Sequence, residues 1–179
     1  RSGIQVLWGE FGCCGLPLIS AGQPAAARKY ARRNMEAIQK YALSGYPVLT
    51  SCPSCSLTLG REYAELFGPA FSMPGGMVTD VLEFLLDLRQ KGELNTGFTR
   101  LAITAGYHQP CHLRAAGRGS PSRDLLELVP GCRLEDLEAG CCGLAGSYGF
   151  KKEKYGISMA IGGDLFAAIR SAGYGRLMP

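Results

Sequence analysis

The chain has 179 residues, the length of about one domain or of two small ones packed together. At 46% hydrophobic and 19% charged it can bury a core and does not have the composition of a disordered segment. Nineteen Lys and Arg against fifteen Asp and Glu leave +4, too mild for a nucleic-acid footprint, and no apolar run approaches the roughly 18 residues of a membrane span.

The unusual component is cysteine, with eight in the chain. That is above ordinary cytosolic usage but below the more than roughly 8% of a disulfide scaffold. The placement also argues against disulfides. Cys13-Cys14 and Cys141-Cys142 are adjacent pairs, and Cys52-Pro53-Ser54-Cys55 is a C-x-x-C. Neighbouring residues hold their Cα atoms about 3.8 Å apart, below the disulfide range of about 4.4–6.8 Å. Reduced thiols serving a metal or redox role are the better reading.

In chain order, Ile4 to Trp8 is a short β-like run leading to Gly12-Cys13-Cys14-Gly15. Pro24 suits a first helical turn, and Ala27, Tyr30, Ala31, Met35 and Ile38 follow at helical spacing until Gly45 supplies a stop. Tyr46 to Thr50 reads as a buried strand delivering Cys52 and Cys55, followed by a helix over about Ser56 to Phe67. Pro74-Gly75-Gly76 is a loop. Val78 to Lys91 reads as an amphipathic helix capped by Thr79 or Asp80, its Met and aromatic residues in the core.

The second half opens with a strand at Leu101 to Tyr107 that runs into His108-Gln109-Pro110-Cys111-His112. A helix over Ser122 to Val129 and a strand at Cys132 to Leu137 lead to Gly140-Cys141-Cys142-Gly143. Tyr148 and Phe150 are expected to pack the turn after this doublet, and a helix runs from about Lys151 to Ser171. Lys151-Lys152-Glu153-Lys154 at its start reads as a solvated face. Strands alternating with helices predict an α/β fold of layered, largely parallel sheets, in which ligands collect beyond the carboxyl ends of the strands. Every cysteine cluster except Cys132 is expected at such a strand-to-helix junction.

The two halves repeat a pattern. Cys13-Cys14-Gly15-Leu16 matches Cys141-Cys142-Gly143-Leu144, and Gly45-Tyr46 and Gly173-Tyr174 each lie 31 and 32 residues beyond the second cysteine of their pair. Cys52 lies 38 residues after Cys14, and the same step from Cys142 lands one position past the last residue. Cys111 precedes Cys141 by 30 residues, and its counterpart before Cys13 would fall upstream of Arg1. The unit C…CCG…CxxC is thus used twice, and the count predicts a piece of a longer protein. The expected domains are 1–95, lacking its N-terminal part, and 96–179, lacking its closing C-x-x-C.

Iron–sulfur clusters need several thiolates converging on one spot. A C-x-x-C at a helix start suits this, because free N–H groups and the helix dipole stabilise sulfur anions. An adjacent Cys-Cys pair serves one site only if a tight, glycine-assisted turn bends the backbone around it. Gly12, Gly15, Gly140 and Gly143 allow such turns. A zinc module is the bland alternative, although structural zinc sites usually pair two spaced hooks. A thiol–disulfide oxidoreductase is weaker still, and Cys132, outside both copies, reads as structural. His108 and His112 either serve the cluster, by hydrogen bonds to sulfur, proton delivery or ligation, or cap the local loop.

At Tyr107-His108-Gln109-Pro110-Cys111-His112 and in the stretch from Gly140-Cys141-Cys142-Gly143 to Lys152-Glu153, the chain resembles the cysteine-rich CCG-domain family. That family includes the cysteine-rich subunit of heterodisulfide reductase and the iron–sulfur subunits of glycolate and lactate oxidases. The stretch is most similar to the iron–sulfur subunits of anaerobic glycerol-3-phosphate dehydrogenases. The resemblance implies [4Fe–4S] clusters, of a non-cubane form, held by cysteines. Carried over residue by residue, it implies one site at Cys13, Cys14, Cys52 and Cys55 and another at Cys111, Cys141 and Cys142. It further implies an electron-transfer subunit of anaerobic respiration with no catalytic residues of its own. Electrons would pass from a flavin-containing dehydrogenase subunit toward a quinone, in the cytoplasm or peripherally at the cytoplasmic membrane. The alternatives are a catalytic heterodisulfide-reductase-like subunit or an iron–sulfur subunit of a glycolate or lactate oxidase. The first motif departs from the family in lacking its leading cysteine, and the second in lacking its closing C-x-x-C.

Overall fold

The computed structural model describes residues 2–74 and 76–173. Gly75 of the expected loop, Tyr174 of the repeat and the last residues of the expected second domain lie outside the described residues. The order is α1 (Leu16–Ser20), α2 (Pro24–Leu43), β1 (Val48–Thr50), α3 (Pro53–Leu57), α4 (Tyr63–Phe67), β2 (Val78–Asp80), α5 (Val81–Gln90), β3 (Ile103–Tyr107), α6 (Cys111–Ala116), α7 (Pro121–Leu126), β4 (Cys132–Asp136), α8 (Tyr155–Ile161) and α9 (Gly163–Ser171). A π-helical turn, Thr58–Glu62, joins α3 to α4, and single 3₁₀ turns cover Pro69–Phe71 and Tyr148–Phe150.

Each half is built on one parallel strand pair. β1 pairs with β2 with Val48 opposite Val78, and β3 pairs with β4 with Ile103 opposite Cys132. Parallel pairs need a crossover, which here is helical in both halves. The α/β reading therefore holds, with sheets of two strands each. The β-like run at Ile4 to Trp8 forms no strand. It finds no partner strand, and its side chains stay in solvent, with Trp8 94% exposed.

Boundaries moved where caps and prolines compete with hydrophobic pattern. Pro53 starts α3 three residues before the expected helix, because a proline is tolerated at the first helical position. Val78–Asp80 is strand rather than helix. Asp80 has extended backbone, and its carboxylate accepts the Leu82 N–H at 2.9 Å, so α5 begins only after it. None of the α5 residues is fully buried, so its apolar face is half-covered rather than core. The helix expected from Lys151 is a turn up to Lys154, followed by α8 and α9, which break at Gly162. Phe150, expected to pack its turn, is 78% exposed, and Gly149 is buried in its place.

The core lies in the first half. The α2 stripe of Ala27, Ala31, Met35 and Ile38 is buried. Ala31 and Met35 pack with Tyr63 and Phe71, flanked by Leu59, Phe67 and Met73. Phe67 meets the Phe71 ring edge-on at 5.4 Å and the Tyr63 ring at 5.9 Å. The halves meet where α3 packs on α6 and α5 on α7. No described helix is long and apolar enough to cross a membrane.

Because Phe71 closes this cluster, Phe71→Ala is expected to cost about 3–5 kcal/mol. In a chain of this size that lowers Tm by roughly 6–20 °C. Thermal unfolding followed by circular dichroism checks it, and a shift within error would contradict this placement of the core.

Candidate metal centre

The two cysteine doublets have one local geometry. Gly15 has φ +83° and Gly143 φ +81°, a left-handed backbone that glycine adopts without cost. This turn folds each glycine N–H back onto the first sulfur of its pair. Gly15 N–H meets Cys13 Sγ at 3.4 Å, and Gly143 N–H meets Cys141 Sγ at 3.3 Å. Both glycines also press against a neighbouring helix. A Cβ on Gly15 would lie 3.3 Å from the Ala27 methyl of α2, and one on Gly143 only 2.0 Å from the Ser158 carbonyl oxygen of α8. Gly162, where α8 breaks, leaves room for the Cys142 carbonyl, which a Cβ there would approach to 2.8 Å.

The first doublet is held from below by two buried polar side chains. Asn34 accepts the Gly12 N–H at 2.9 Å and donates to the Cys13 carbonyl at 3.0 Å and to the Tyr63 hydroxyl at 3.3 Å. Tyr63 in turn donates to the Cys14 carbonyl at 2.7 Å. Both side chains are almost fully removed from solvent, Asn34 at 1% and Tyr63 at 0% exposure. Sequence reasoning missed both. The signal was a polar residue, Asn34, set within the otherwise apolar stripe of α2.

The π turn makes this clamp possible. Cys55 and Tyr63 both touch Cys14, the one through sulfur and the other through its carbonyl. Eight residues along a regular α-helix would set them roughly 80° apart. A π turn absorbs about one extra residue, which brings the two side chains to within roughly 20° of one face.

The structure brings the expected residues together in two groups. At the first, Cys55 Sγ donates to Cys14 Sγ at 3.3 Å, Cys13 interacts with Cys14, and Cys52 interacts with Cys55. The Cys55 thiol's hydrogen bond holds Cys14 down at about 6, and the same bond pushes Cys55 well above the ordinary thiol range. Burial, chiefly, raises Tyr63 to about 12, which keeps its hydroxyl a donor. At the second group, Cys111 interacts with Cys141 and feels the charge of Cys142, and desolvation first, then these neighbours, push it up. His108 Nε2 lies 2.9 Å from the Gly140 carbonyl. A carbonyl only accepts, so this ring nitrogen carries the proton and ties the end of β3 to the second doublet.

Cys132 joins neither group. It begins β4 opposite Ile103, at the amino end of the strand, whereas the sites lie beyond the carboxyl ends. Cys52 and Cys55 fall at a strand-to-helix junction after β1, and Cys111 at another after β3. The doublets follow irregular backbone instead.

Among the described residues, no three His, Cys, Asp or Glu side chains close on a single point as one bare ion would require. The donor chemistry nonetheless fits an iron–sulfur group. Thiols interact with one another in both groups, glycine N–H groups are aimed at sulfur, and Cys13, Cys52, Cys111 and Cys142 are exposed.

The model of the cysteine-rich CCG domain matches residues 3–60 and 105–178. One of the subunits of the anaerobic glycerol-3-phosphate dehydrogenase of Escherichia coli K12 is 36% identical over 96% of this chain and 43% of its own length. An uncharacterized iron–sulfur protein of Methanococcus maripaludis is 32% identical over 84% of this chain and 28% of its own. Lactate utilization protein A of Bacillus velezensis is 29% identical over 78% and 59%. The chain thus spans less than half the length of the first two. No solved structure is a significant match.

Tyr63→Phe keeps the ring but strips the buried Cys14 carbonyl of its donor, an expected loss of about 1–3 kcal/mol. Asn34→Ala removes three hydrogen bonds and is expected to cost more, as chemical denaturation would show; equal stability of both variants and the parent would refute the clamp. In the metal-free chain, thiolate absorbance is expected to show a step near pH 6. Cys55→Ala should move that step toward the ordinary value of about 8.5, and an unchanged profile would contradict the Cys14–Cys55 pair.

Proposed function

The chain belongs to the cysteine-rich CCG-domain family, and from that membership we propose that it is part of an iron–sulfur electron-transfer subunit of an anaerobic respiratory dehydrogenase. The carrying observation is that two glycine-closed cysteine doublets each gather further thiols from elsewhere in the chain. The names of the relatives, a glycerol-3-phosphate dehydrogenase subunit and an iron–sulfur protein among them, support the same class.

In this reading Cys13, Cys14, Cys52 and Cys55 hold one [4Fe–4S] cluster, and Cys111, Cys141 and Cys142 contribute to a second. When bound in this role, such clusters would supply one-electron chemistry. The chain's work is then to bind and tune. Gly15 and Gly143 direct their N–H groups at the sulfurs of Cys13 and Cys141, where hydrogen bonds would tune a bound cluster. Asn34 and Tyr63 keep the first doublet from reorganising as its charge changes. His108 does the same for the loop before the second doublet. The electron donor would be a flavin-containing dehydrogenase subunit and the acceptor a quinone, met peripherally at the cytoplasmic membrane.

Anaerobic loading with iron and sulfide tests this. The parent chain is expected to bind iron and sulfide in about equal amounts, as a [4Fe–4S] composition requires. Cys14→Ala should lose about half of both, the share of one site in two, while Cys132→Ala should lose none. Zinc binding without sulfide, or equal losses in both variants, would overturn the assignment.

A further inference from the structure

Resting on the reading of two cysteine sites that carry electrons, we propose that Ser54 and His112 are positioning residues, forming a bridge that fixes one site against the other. Ser54 lies inside the first C-x-x-C, between Cys52 and Cys55, and His112 directly follows Cys111. Their side chains meet across the interface of the two halves, with Ser54 Oγ 3.0 Å from His112 Nδ1. A bonded route from Cys55 to Cys111 therefore runs through Ser54, this hydrogen bond and His112.

Local chemistry alone would send the Ser54 hydroxyl elsewhere. A serine in the first turn of a helix ordinarily turns back to its own backbone, and α3 has no side-chain cap of that kind. Here the hydroxyl reaches a residue 58 positions away. Its partner helix needs the anchor, because α6 has six residues and a helix that short does not hold itself in water. The other end of α6 is pinned from the same side: Arg61, in the π turn, donates to the Ala115 carbonyl at 3.3 Å. A cation there also complements the negative end of the helix. Just beyond α6, Arg118 pairs with the largely shielded Glu83 of α5 at 2.7 Å. The helix that carries Cys111 is thus held at both ends by the continuous helical run of α3 and the π turn, at whose start Cys52 and Cys55 lie.

An electron crossing between the sites leaves one oxidised by one electron and the other reduced by one. No covalent bond forms or breaks, and the bridging proton stays within the Ser54–His112 pair. The bridge's part is to keep the separation short and constant.

Two measurements on Ser54→Ala and Ser54→Thr test the bridge. In the metal-free chain, amide hydrogen exchange across residues 111–116 is expected to quicken about tenfold in Ser54→Ala, the loss of one net hydrogen bond, and to return toward the parent rate in Ser54→Thr, which keeps the hydroxyl. In the iron-loaded, reduced chain, the magnetic interaction between the two sites seen by EPR is expected to weaken in Ser54→Ala at unchanged iron and sulfide content, and to be restored in Ser54→Thr. Parent-like exchange in Ser54→Ala would overturn the bridge, as would an undiminished interaction. Failure of the parent chain to take up iron would defeat the electron-carrier reading instead, and the exchange measurement would still decide the bridge.

Discussion

Two adjacent cysteines can serve one site only if the backbone turns sharply behind them, and that constraint organises both halves of this protein. Gly15 and Gly143 meet it with the same positive φ and the same N–H directed at the first sulfur. Packing enforces the choice as well as conformation. At Gly143 any side chain would collide with the Ser158 carbonyl, so the turn and the helix behind it are built as one piece. The Ser158 hydroxyl reinforces this by donating to the Gly143 carbonyl at 2.8 Å.

The halves solve the remaining problem, holding the turn still, by different means. The first uses a buried polar clamp from a well-packed core: Asn34 from α2 and Tyr63 from α4 meet under the doublet, with the aromatic cluster beside them. A buried amide and phenol are tolerated because each is hydrogen-bonded. Among the described residues the second half has no comparable core cluster; His108, Ser158 and contacts with the first half hold its turn. Its left-handed Ala145, φ 45°, is a non-glycine residue in a conformation that costs roughly 1–2 kcal/mol. The strain lies two residues past the Cys141-Cys142-Gly143 turn.

Much of this was legible in the residues themselves. The glycine-flanked cysteine doublets and the C-x-x-C stand out in the residues themselves, and Cys132 lies apart from them at the amino end of β4. Helix α2 followed from Pro24, its apolar spacing and Gly45. What escaped was set by tertiary partners. Ile4 to Trp8 has strand composition but no strand to pair with. Val78 to Asp80 has helical periodicity but is claimed by β1. The π turn leaves no mark in hydrophobic spacing; it shows only in the way Cys55 and Tyr63 both reach Cys14. Ser54 and Asn34 look like ordinary polar positions until their partners, 58 and 21 residues away, are known.

In the proposed role, the two groups of thiols hold polynuclear iron–sulfur centres. Iron K-edge X-ray absorption on the anaerobically loaded chain tests it most directly. The expected spectrum has a first shell of sulfur together with a second shell of iron, since each metal in a cluster has metal neighbours across bridging sulfide. Iron surrounded by oxygen or nitrogen, or by sulfur with no iron beyond it, would contradict that role.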